Sequence, residues 1–264
     1  MNLYEKITIV GAGNVAWHLA SALEEAGCSV VQVYSRQVNK AQELAARLKQ
    51  AQPTAELDFS DSPATLFVLT VSDDAIAAVA QQMKLPEQAT VVHTSGGQPM
   101  QVLNEAATDQ IGVFYPLQTF SKQRTISFQN IPLCLEAIRS EVLDGLTQLA
   151  QKLSKQVVTV NSRQRAALHV AAVFANNFTN HLLRMSEQLL QESQLDIKLL
   201  HPLIEETVTK AQAMGVAHSQ TGPARRNDQK TIDHHLDYLR SFDPAYTKVY
   251  RVLTKSIQSI ANDI

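Results

Sequence analysis

The chain has 264 residues, enough for about two domains of roughly 100–200 residues each. Hydrophobic residues make up 45% of it and charged residues 18%, which excludes a disordered chain and a long coiled coil. The formal net charge is -2, so the sequence lacks the basic excess of proteins that bind nucleic acid or anionic lipid. We therefore expect neither nucleic acid nor a membrane as a partner.

The two cysteines, Cys28 and Cys134, are too few for a disulfide framework and do not have the spacing of metal ligands. The N-terminal residues carry no basic segment ahead of their short apolar run, which is unlike a signal peptide. No apolar stretch approaches the length of a membrane span. The sequence predicts a cytoplasmic protein with reduced thiols and no bound metal.

The first 160 residues alternate short apolar, β-branched runs with stretches of helical period. This alternation is typical of parallel βαβ units and predicts a doubly wound α/β sheet. The predicted strands are Ile7–Val10, Ser29–Tyr34, Leu66–Val71, Thr90–Thr94, Ile111–Phe114, Ile131–Leu135 and Val157–Val160. The predicted helices between them are Asn14–Ala26, Gln37–Lys49, Asp74–Met83 and Glu141–Leu153.

The character of the chain changes after about Asn161, because no further β-like run follows. We therefore predict a Rossmann-type domain over residues 1–160 and an all-α domain over residues 161–264. The helices predicted for the second domain are Arg163–Glu192, Leu199–Met214, Asp228–Ser241 and Ala245–Ile260.

A G-x-G-x-x-A motif follows the first predicted strand directly and opens the first helix. Gly11 permits the tight turn, Gly13 lets the backbone approach a pyrophosphate, and Ala16 is small enough for helix to pack on strand. Asn14 and Val15 begin the helix, whose free N–H groups would face the phosphates. The motif predicts a dinucleotide site; the alternative is a glycine-rich turn that binds nothing.

The end of the second strand selects between the two nicotinamide cofactors. Sites that prefer NAD place an acidic residue there, which accepts hydrogen bonds from the ribose hydroxyls. This chain has Ser35 and Arg36 instead, with Lys40 one turn later. A hydroxyl and a guanidinium would bind a 2′-phosphate, so we predict NADP. The alternative for Arg36 is an ordinary solvated residue at a helix start.

Polar loops follow two later strands, and ligands of open α/β sheets lie at the carboxyl ends of the strands. Ser72 and Asp73 follow one strand, and Thr94, Ser95 and Gly96 follow the next. We expect these residues to line the ribose and nicotinamide. Asp73 has the alternative role of a helix N-cap, and the glycine the alternative of a simple turn.

Three polar residues recur along the first long helix of the second half. Asn176 and Asn180 each fall within 20° of His169 at 100° per residue, on an otherwise apolar helix. Buried imidazoles and amides need hydrogen-bond partners, so this stripe predicts either a ligand site or a polar seam between helices. In the first interpretation His169 and Asn176 are catalytic and Asn180 binds substrate.

Two further segments are candidates for substrate binding. Arg225 and Arg226 adjoin a Gly-Pro turn and would suit a carboxylate or phosphate, although they would equally serve as surface charges at a helix end. Tyr115 follows a predicted strand and would form a wall of the cleft, although aromatics are more often core residues. The adjacent His234 and His235 lack a third metal ligand.

On six segments the chain resembles an uncharacterised family of Rossmann-like proteins described as NADP oxidoreductases, some of them deazaflavin-dependent. That family is similar in turn to pyrroline-5-carboxylate reductases, ketopantoate reductases and β-hydroxyacid dehydrogenases, which pair an N-terminal NAD(P) domain with an all-α dimerising domain. The resemblance covers essentially the whole chain. Its segments are GAGNVAWHLASAL, VSDDAI, HTSGG, YPLQTFSK, LHVAAVFANNFTNHLL and TGPARRND.

The resemblance implies an NADPH-dependent reductase of a small anionic carbonyl or imine compound, forming a homodimer through its second domain. The β-hydroxyacid and ketopantoate enzymes use a Lys with an Asn one turn later on the corresponding helix. Here His169 falls roughly at the position of that Lys, and the residue one turn later is Val173. This departure leaves an alternative open, in which the chain binds NADP without catalysis, as a sensor or interaction protein.

Overall fold

The computed structural model describes residues 4–261, and its central feature is an eight-stranded sheet. The strand order is β3-β2-β1-β4-β5-β6-β7-β8, and neighbouring strands are parallel apart from the antiparallel β6–β7 pair. This is the doubly wound sheet predicted from the alternation of strands and helices. The strands are β1 (Lys6–Val10), β2 (Ser29–Tyr34), β3 (Gln52–Thr54), β4 (Leu66–Leu69), β5 (Thr90–His93), β6 (Ile111–Pro116), β7 (Leu133–Ala137) and β8 (Val157–Thr159).

The core lies on both faces of this sheet, because successive residues of a strand point to opposite sides. In β4, Leu66 and Val68 belong to the cluster on one face, and Phe67 and Leu69 belong to the cluster on the other. A strand covered on both faces reads as a continuous apolar run, which is why this segment shows no polar alternation. The helices that accompany the sheet are α1 (Asn14–Glu25), α2 (Val38–Ala45), α3 (Ile76–Gln82) and α4 (Ser140–Leu153).

The short edge strand β3 (Gln52–Thr54) is missing from the sequence prediction. It contains Pro53, whose backbone has no N–H to donate, and proline is confined to edge positions of a sheet. The helix predicted over Gln37–Lys49 ends earlier, at Ala45, and β7 begins after Pro132 rather than at Ile131.

The largest departure is in the helix predicted over Arg163–Glu192. It consists of α5 (Ser162–Ala172), a π-helical segment (Val173–Phe178) and α6 (Thr179–Glu192). A π-helix bonds residue i to i+5, so the constant 100° per residue behind the predicted polar stripe does not hold through this segment. The predicted alignment of Asn180 with His169 is therefore wrong, because its calculation assumes an uninterrupted α-helix.

Within the described residues no strand follows β8, so the class is α/β followed by an all-α part, as predicted. The chain divides into two compact units, residues 1–177 and 178–264. This division lies later than the predicted domain boundary at residue 160. None of the described helices is long and apolar enough to cross a membrane. The remaining helices are α7 (His201–Met214), α8 (Val216–Ser219), α9 (Gln229–Phe242) and α10 (Pro244–Ala261).

Candidate functional site

The turn between β1 and α1 requires glycine at its first position. Gly11 has a φ of +126°, and a Cβ added there would lie 2.6 Å from Thr70 Oγ1 and 2.8 Å from the Thr70 carbonyl carbon. Its N–H donates to the Tyr34 carbonyl oxygen at 2.9 Å, which links the turn to the end of β2. Both the backbone conformation and the packing of the protein itself explain this glycine.

Gly13 is different, because nothing in the protein requires it. Its φ of -83° suits any residue, and a Cβ added there would meet only the Thr70 carbonyl oxygen, at 3.9 Å. The open space at this helix start is where the motif would receive a pyrophosphate. Asn14 is exposed, Val15 is half-buried, and Ala16 is fully buried in the packing of α1 on the sheet.

A cavity of about 300 Å³ adjoins this turn and combines the ends of β1, β2 and β4; we call it the glycine-turn pocket. Five of the residues predicted to contact cofactor line it, and so does Lys40. Arg36 and Lys40 are both exposed, while Ser35 is buried and its Oγ accepts from the Gln37 N–H at 3.2 Å. The predicted cofactor residues in this pocket are Gly11, Gly13, Ser35, Arg36 and Ser72.

The loop after β5 is braced by its own hydroxyl groups. Thr94 Oγ1 donates to the Leu69 carbonyl oxygen at 3.2 Å, and Ser95 Oγ accepts from the N–H groups of Gly97 and Gln98 at 3.1 and 3.0 Å. Both residues are buried. These hydrogen bonds fix the shape of the loop, and cofactor contacts of Thr94 and Ser95 stay a prediction.

Gly96 lies against two titratable side chains from other elements. Its added Cβ would be 2.6 Å from His169 Nδ1 and 2.7 Å from Tyr115 Cζ. Tyr115 Oη and His169 Nδ1 are themselves 3.2 Å apart, within hydrogen-bond distance. Burial raises the pKa of the Tyr115 phenol, so the phenol keeps its proton at neutral pH. A phenol that donates to Nδ1 leaves the proton of a neutral imidazole on Nε2.

Asp73 approaches the same loop from the end of β4. A Cβ on Gly97 would lie 3.5 Å from Asp73 Oδ2 and 3.6 Å from His169 Cδ2, so the carboxylate and the imidazole flank one glycine. The helix N-cap role considered for Asp73 falls to Ser72, and Asp73 occupies the first turn of the short 3₁₀ helix that follows.

A second cavity, of about 440 Å³, lies between the end of β6 and α5; we call it the α5 pocket. It brings together Tyr115, His169 and Asn176, which the sequence placed at the substrate. Asn177 also lines it, although a regular α-helix would turn that residue about 100° away from Asn176. The other lining residues are Leu117, Gln118, Thr119, Leu168, Ala171, Ala172, Val173 and Ala175.

The three remaining predicted residues belong to the second unit. Asn180 lies in the first turn of α6, and Arg225 and Arg226 are exposed in the turn before α9. The cap of α9 is Asp228, whose side chain accepts from the Thr231 N–H at 3.1 Å. Hydrogen bonds from Thr231 lower the pKa of the Asp228 carboxyl group.

Sequence reasoning missed a buried ion pair beneath the loop after β5. Arg165 is fully buried on α5 and donates to the carboxylate of Glu136 on β7. Two signals pointed to it: Glu136 is a carboxylate inside an otherwise apolar strand, and Arg165 precedes His169 by one helical turn. Neither signal identifies the partner, because the two residues are joined only by tertiary folding.

Two family models match separate parts of the chain. The domain of unknown function DUF2520 matches residues 131–257, and shikimate/quinate 5-dehydrogenase matches residues 2–104. A search of the curated proteins finds no match.

Several solved structures are similar to this chain. The putative NADP oxidoreductase from Bacteroides fragilis is 40% identical, with a TM-score of 0.89 over 97% of this chain and 98% of that one. A Thermotoga maritima protein is 22% identical, with a TM-score of 0.78 over 97% and 99% of the two chains. Pyrroline-5-carboxylate reductase from Coxiella burnetii is 16% identical, with a TM-score of 0.59 over 99% and 98%. The last two similarities show the fold alone.

The predicted family resemblance is confirmed by these findings. The Bacteroides fragilis similarity extends over nearly the full length of both chains at 40% identity. The two family models match the sheet-forming part and the largely helical part in the order that the fold shows. The chain therefore belongs to the family of the Bacteroides fragilis protein, in which a Rossmann domain is followed by a domain of the DUF2520 type.

Proposed function

We propose that this protein is an NADP-dependent oxidoreductase that reduces the carbonyl or imine group of a small anionic molecule. One observation carries the proposal: the Tyr115–His169 pair lies at the carboxyl edge of the same sheet as the glycine turn. The description of the Bacteroides fragilis relative as an NADP oxidoreductase supports it.

The spacing of the two pockets suits an extended dinucleotide. The glycine-turn pocket lies at the ends of β2, β1 and β4, and the α5 pocket lies at the end of β6. Four strand spacings separate β2 from β6, which is about 19 Å at about 4.8 Å each. Gly96 and Gly97 follow β5, between the two pockets in strand order, so a nicotinamide ring would lie beside them.

Ser35, Arg36 and Lys40 favour NADP over NAD. They line the end of β2 with a hydroxyl and two cations, where an NAD site presents a carboxylate. The exposed guanidinium of Arg36 is suited to bidentate contact with a 2′-phosphate.

When bound, NADPH supplies a hydride. His169 Nε2 would give the matching proton to the carbonyl oxygen or imine nitrogen while Nδ1 takes the Tyr115 phenol proton, so that the imidazole stays neutral, the product is an alcohol or an amine, and Tyr115 regains its proton from solvent. Tyr115 orients the imidazole through its hydrogen bond to Nδ1, and the Asn176 amide orients the substrate in the α5 pocket. Arg225 and Arg226 stay predicted contacts of an anionic substrate, since a guanidinium pairs with carboxylates.

The second unit supports a homodimer. Its helices α6 and α7 have no buried residue, although such amphipathic helices owe most of their stability to packing. Leu203 and Met214 are 63% and 54% exposed and lie within about 20° of each other around α7, and Leu199, 65% exposed, lies in the 3₁₀ helix just before it. We propose that a second copy of the chain covers this face.

Cofactor binding and turnover are tested on four variants. Gly13→Ala introduces a methyl group at the open helix start and should abolish NADPH binding. Arg36→Ala should weaken the binding of NADPH by about 10- to 100-fold, the value of a lost charged hydrogen bond, and the binding of NADH far less.

His169→Ala should bind NADPH normally and lose about 10²- to 10⁴-fold in turnover. Arg124→Ala removes an exposed arginine outside both pockets and is the control.

Binding is measured by NADPH fluorescence, and turnover by NADPH oxidation over a panel of keto acids and imines. Equal losses of NADPH and NADH in Arg36→Ala would remove the argument for NADP. Tight NADPH binding without turnover of any panel compound would favour the alternative, a protein that binds NADP as a sensor.

A further inference from the structure

The ion pair of Arg165 and Glu136 connects three separate parts of the first unit. Besides the Glu136 carboxylate, the Arg165 guanidinium donates to the backbone oxygen of Gln98 at 2.6 Å and to Ser162 Oγ at 3.3 Å. Glu136 belongs to β7, Gln98 to the loop after β5, and Ser162 to the first turn of α5. The guanidinium is fully buried, and these contacts replace the water that its two terminal nitrogens lose on folding, while Nε has no hydrogen-bond partner among the described residues.

Ser162 reinforces the same junction from the helix start. Its N–H donates to Glu136 Oε1 at 3.0 Å, and its hydroxyl lies 2.9 Å from Glu136 Oε2. The Met100 N–H donates to Ser162 Oγ at 3.1 Å. The start of α5 is thus bonded both to β7 and to the loop after β5.

The elements joined by this network are the ones that meet at the candidate proton donor. His169 follows Arg165 by four residues, about one turn and about 6 Å along α5. Gly96 precedes Gln98 by two residues in the loop. The contact between Gly96 and the imidazole is close enough that an added Cβ would lie 2.6 Å from Nδ1. A small change in the distance between loop and helix would therefore alter this contact.

His93 supports the loop from below. Its buried ring accepts the Ser95 N–H on Nδ1 at 3.1 Å. Burial first, and then the charge of Arg165, lower the pKa of His93 to about 4. The ring therefore stays neutral at physiological pH and keeps the acceptor that holds the Ser95–Gly96 segment.

A purely stabilising role does not explain the choice of residues. Replacing a buried ion pair by apolar side chains of similar volume is often neutral or stabilising. A guanidinium differs from an apolar side chain because its planar group fixes the directions of several hydrogen-bond donors at once. Here those donors reach a carboxylate, a hydroxyl and a backbone oxygen on three elements.

We propose that Arg165, held by Glu136, is a positioning residue that fixes the loop after β5 at the distance from α5 that keeps the His169 ring in contact with Gly96 and Tyr115. An effect of Arg165 on turnover rests on the proposed function, whereas its effect on the position of the His169 ring does not. Arg165 acts through His169 and touches neither cofactor nor substrate.

The test uses NMR to measure the side-chain ¹⁵N signals of His169 in full-length protein with ¹⁵N-labelled histidine. The side-chain nitrogen signals of His169, assigned with His169→Asn, report whether Nδ1 accepts a hydrogen bond, and Tyr115→Phe gives the signals without that bond. The double variant Arg165→Met with Glu136→Leu should shift the signals toward those of Tyr115→Phe. Arg163→Met, which replaces an exposed arginine on the same helix, should leave them unchanged.

Two further measurements separate positioning from loss of structure. The double variant should keep its urea midpoint and bind NADPH within about twofold of the unmodified protein, while kcat falls 10- to 100-fold with little change in KM. Unchanged His169 signals in the folded double variant would overturn the proposal. If that variant does not fold, Glu136→Gln decides by the same signals. If no variant and no unmodified protein turns over substrate, the proposed function fails, and the nitrogen signals still decide the role of Arg165.

Discussion

Two neighbouring glycines after β5 differ in what surrounds them. A Cβ on Gly96 would lie 2.6 Å from His169 Nδ1 and 2.7 Å from Tyr115 Cζ, closer than real Cβ contacts allow. The nearest atom to a Cβ on Gly97 is Asp73 Oδ2 at 3.5 Å, an ordinary contact. Neither glycine has a positive φ, so packing decides the outcome of a substitution.

We expect Gly96→Ala to lower the free energy of unfolding by about 1–3 kcal/mol, because the methyl group must displace the Tyr115–His169 pair. Gly97→Ala should change it by less than about 1 kcal/mol. Urea denaturation of the two variants gives the comparison, with the adjacent position as the matched control. Equal losses would show that the close contact at Gly96 relaxes without cost.

Among single residues, the sequence predicted those whose role depends on the residues next to them in the chain. Gly11, Ser35 and Arg36 follow directly from strand ends and a known turn geometry, and they line one pocket in the structure. Arg165 and Glu136 were missed because their pairing depends on how β7 and α5 pack. The requirement at Gly96 was missed for the same reason, since Tyr115 and His169 are distant in sequence.

Among the elements, the long helix shows where periodicity fails. Its composition favours helix throughout, and nothing in the amino-acid sequence marks the change to i→i+5 hydrogen bonding at Val173–Phe178. A π segment depends on the surroundings of the helix, and such segments recur at functional sites. Asn176 and Asn177 both lie in this π segment and both line the α5 pocket.

Helix α7 offers a test of the proposed homodimer. Leu203→Glu places a charge on the exposed apolar face and should convert the dimer to a monomer, because burying an unpaired carboxylate at an interface costs several kcal/mol. Gln212→Glu adds the same charge at an exposed polar position of this helix and should leave the dimer intact. Sedimentation equilibrium measures both. An unmodified protein that sediments as a monomer at every concentration would contradict the proposal.

For the molecule as a whole, the buried His93 makes stability depend on pH. Its pKa is about 4 in the folded protein and about 6.5 in an unfolded chain, so the unfolded state binds the extra proton between these values. The contribution is fully present above pH 6.5 and is lost as the pH falls toward 4. The difference corresponds to roughly 3 kcal/mol.

We expect the free energy of unfolding to fall more steeply between pH 6.5 and 4 in the unmodified protein than in His93→Gln, which has no titratable ring. Urea denaturation at several pH values measures both slopes. Carboxylates titrate in the same range in both proteins, so the difference between the slopes isolates His93. Parallel slopes would mean that the ring is protonated without penalty in the folded state.

The overall architecture was predictable because parallel βαβ units constrain how a chain returns to a sheet. That constraint also places the loops after β1, β2, β4 and β5 at one edge, which is why five of the predicted cofactor residues line one pocket. The edge strand β3 was not predictable from three residues that include Pro53. The second unit was predicted as helices, but no local pattern predicts how the partner that we propose would contact α7.

The buried network around Arg165 also bears on how the two parts of this family can vary. Its charged and hydroxyl side chains, those of Glu136, Ser162 and Arg165, all lie within residues 131–257, the segment matched by DUF2520. From the earlier segment the network takes only main-chain atoms, the Gln98 oxygen and the Met100 nitrogen. Every amino acid offers that oxygen, and every one except proline offers that N–H. The later module thus carries its own attachment, and a change of side chain at Gln98, or at Met100 to any residue except proline, leaves these two contacts in place.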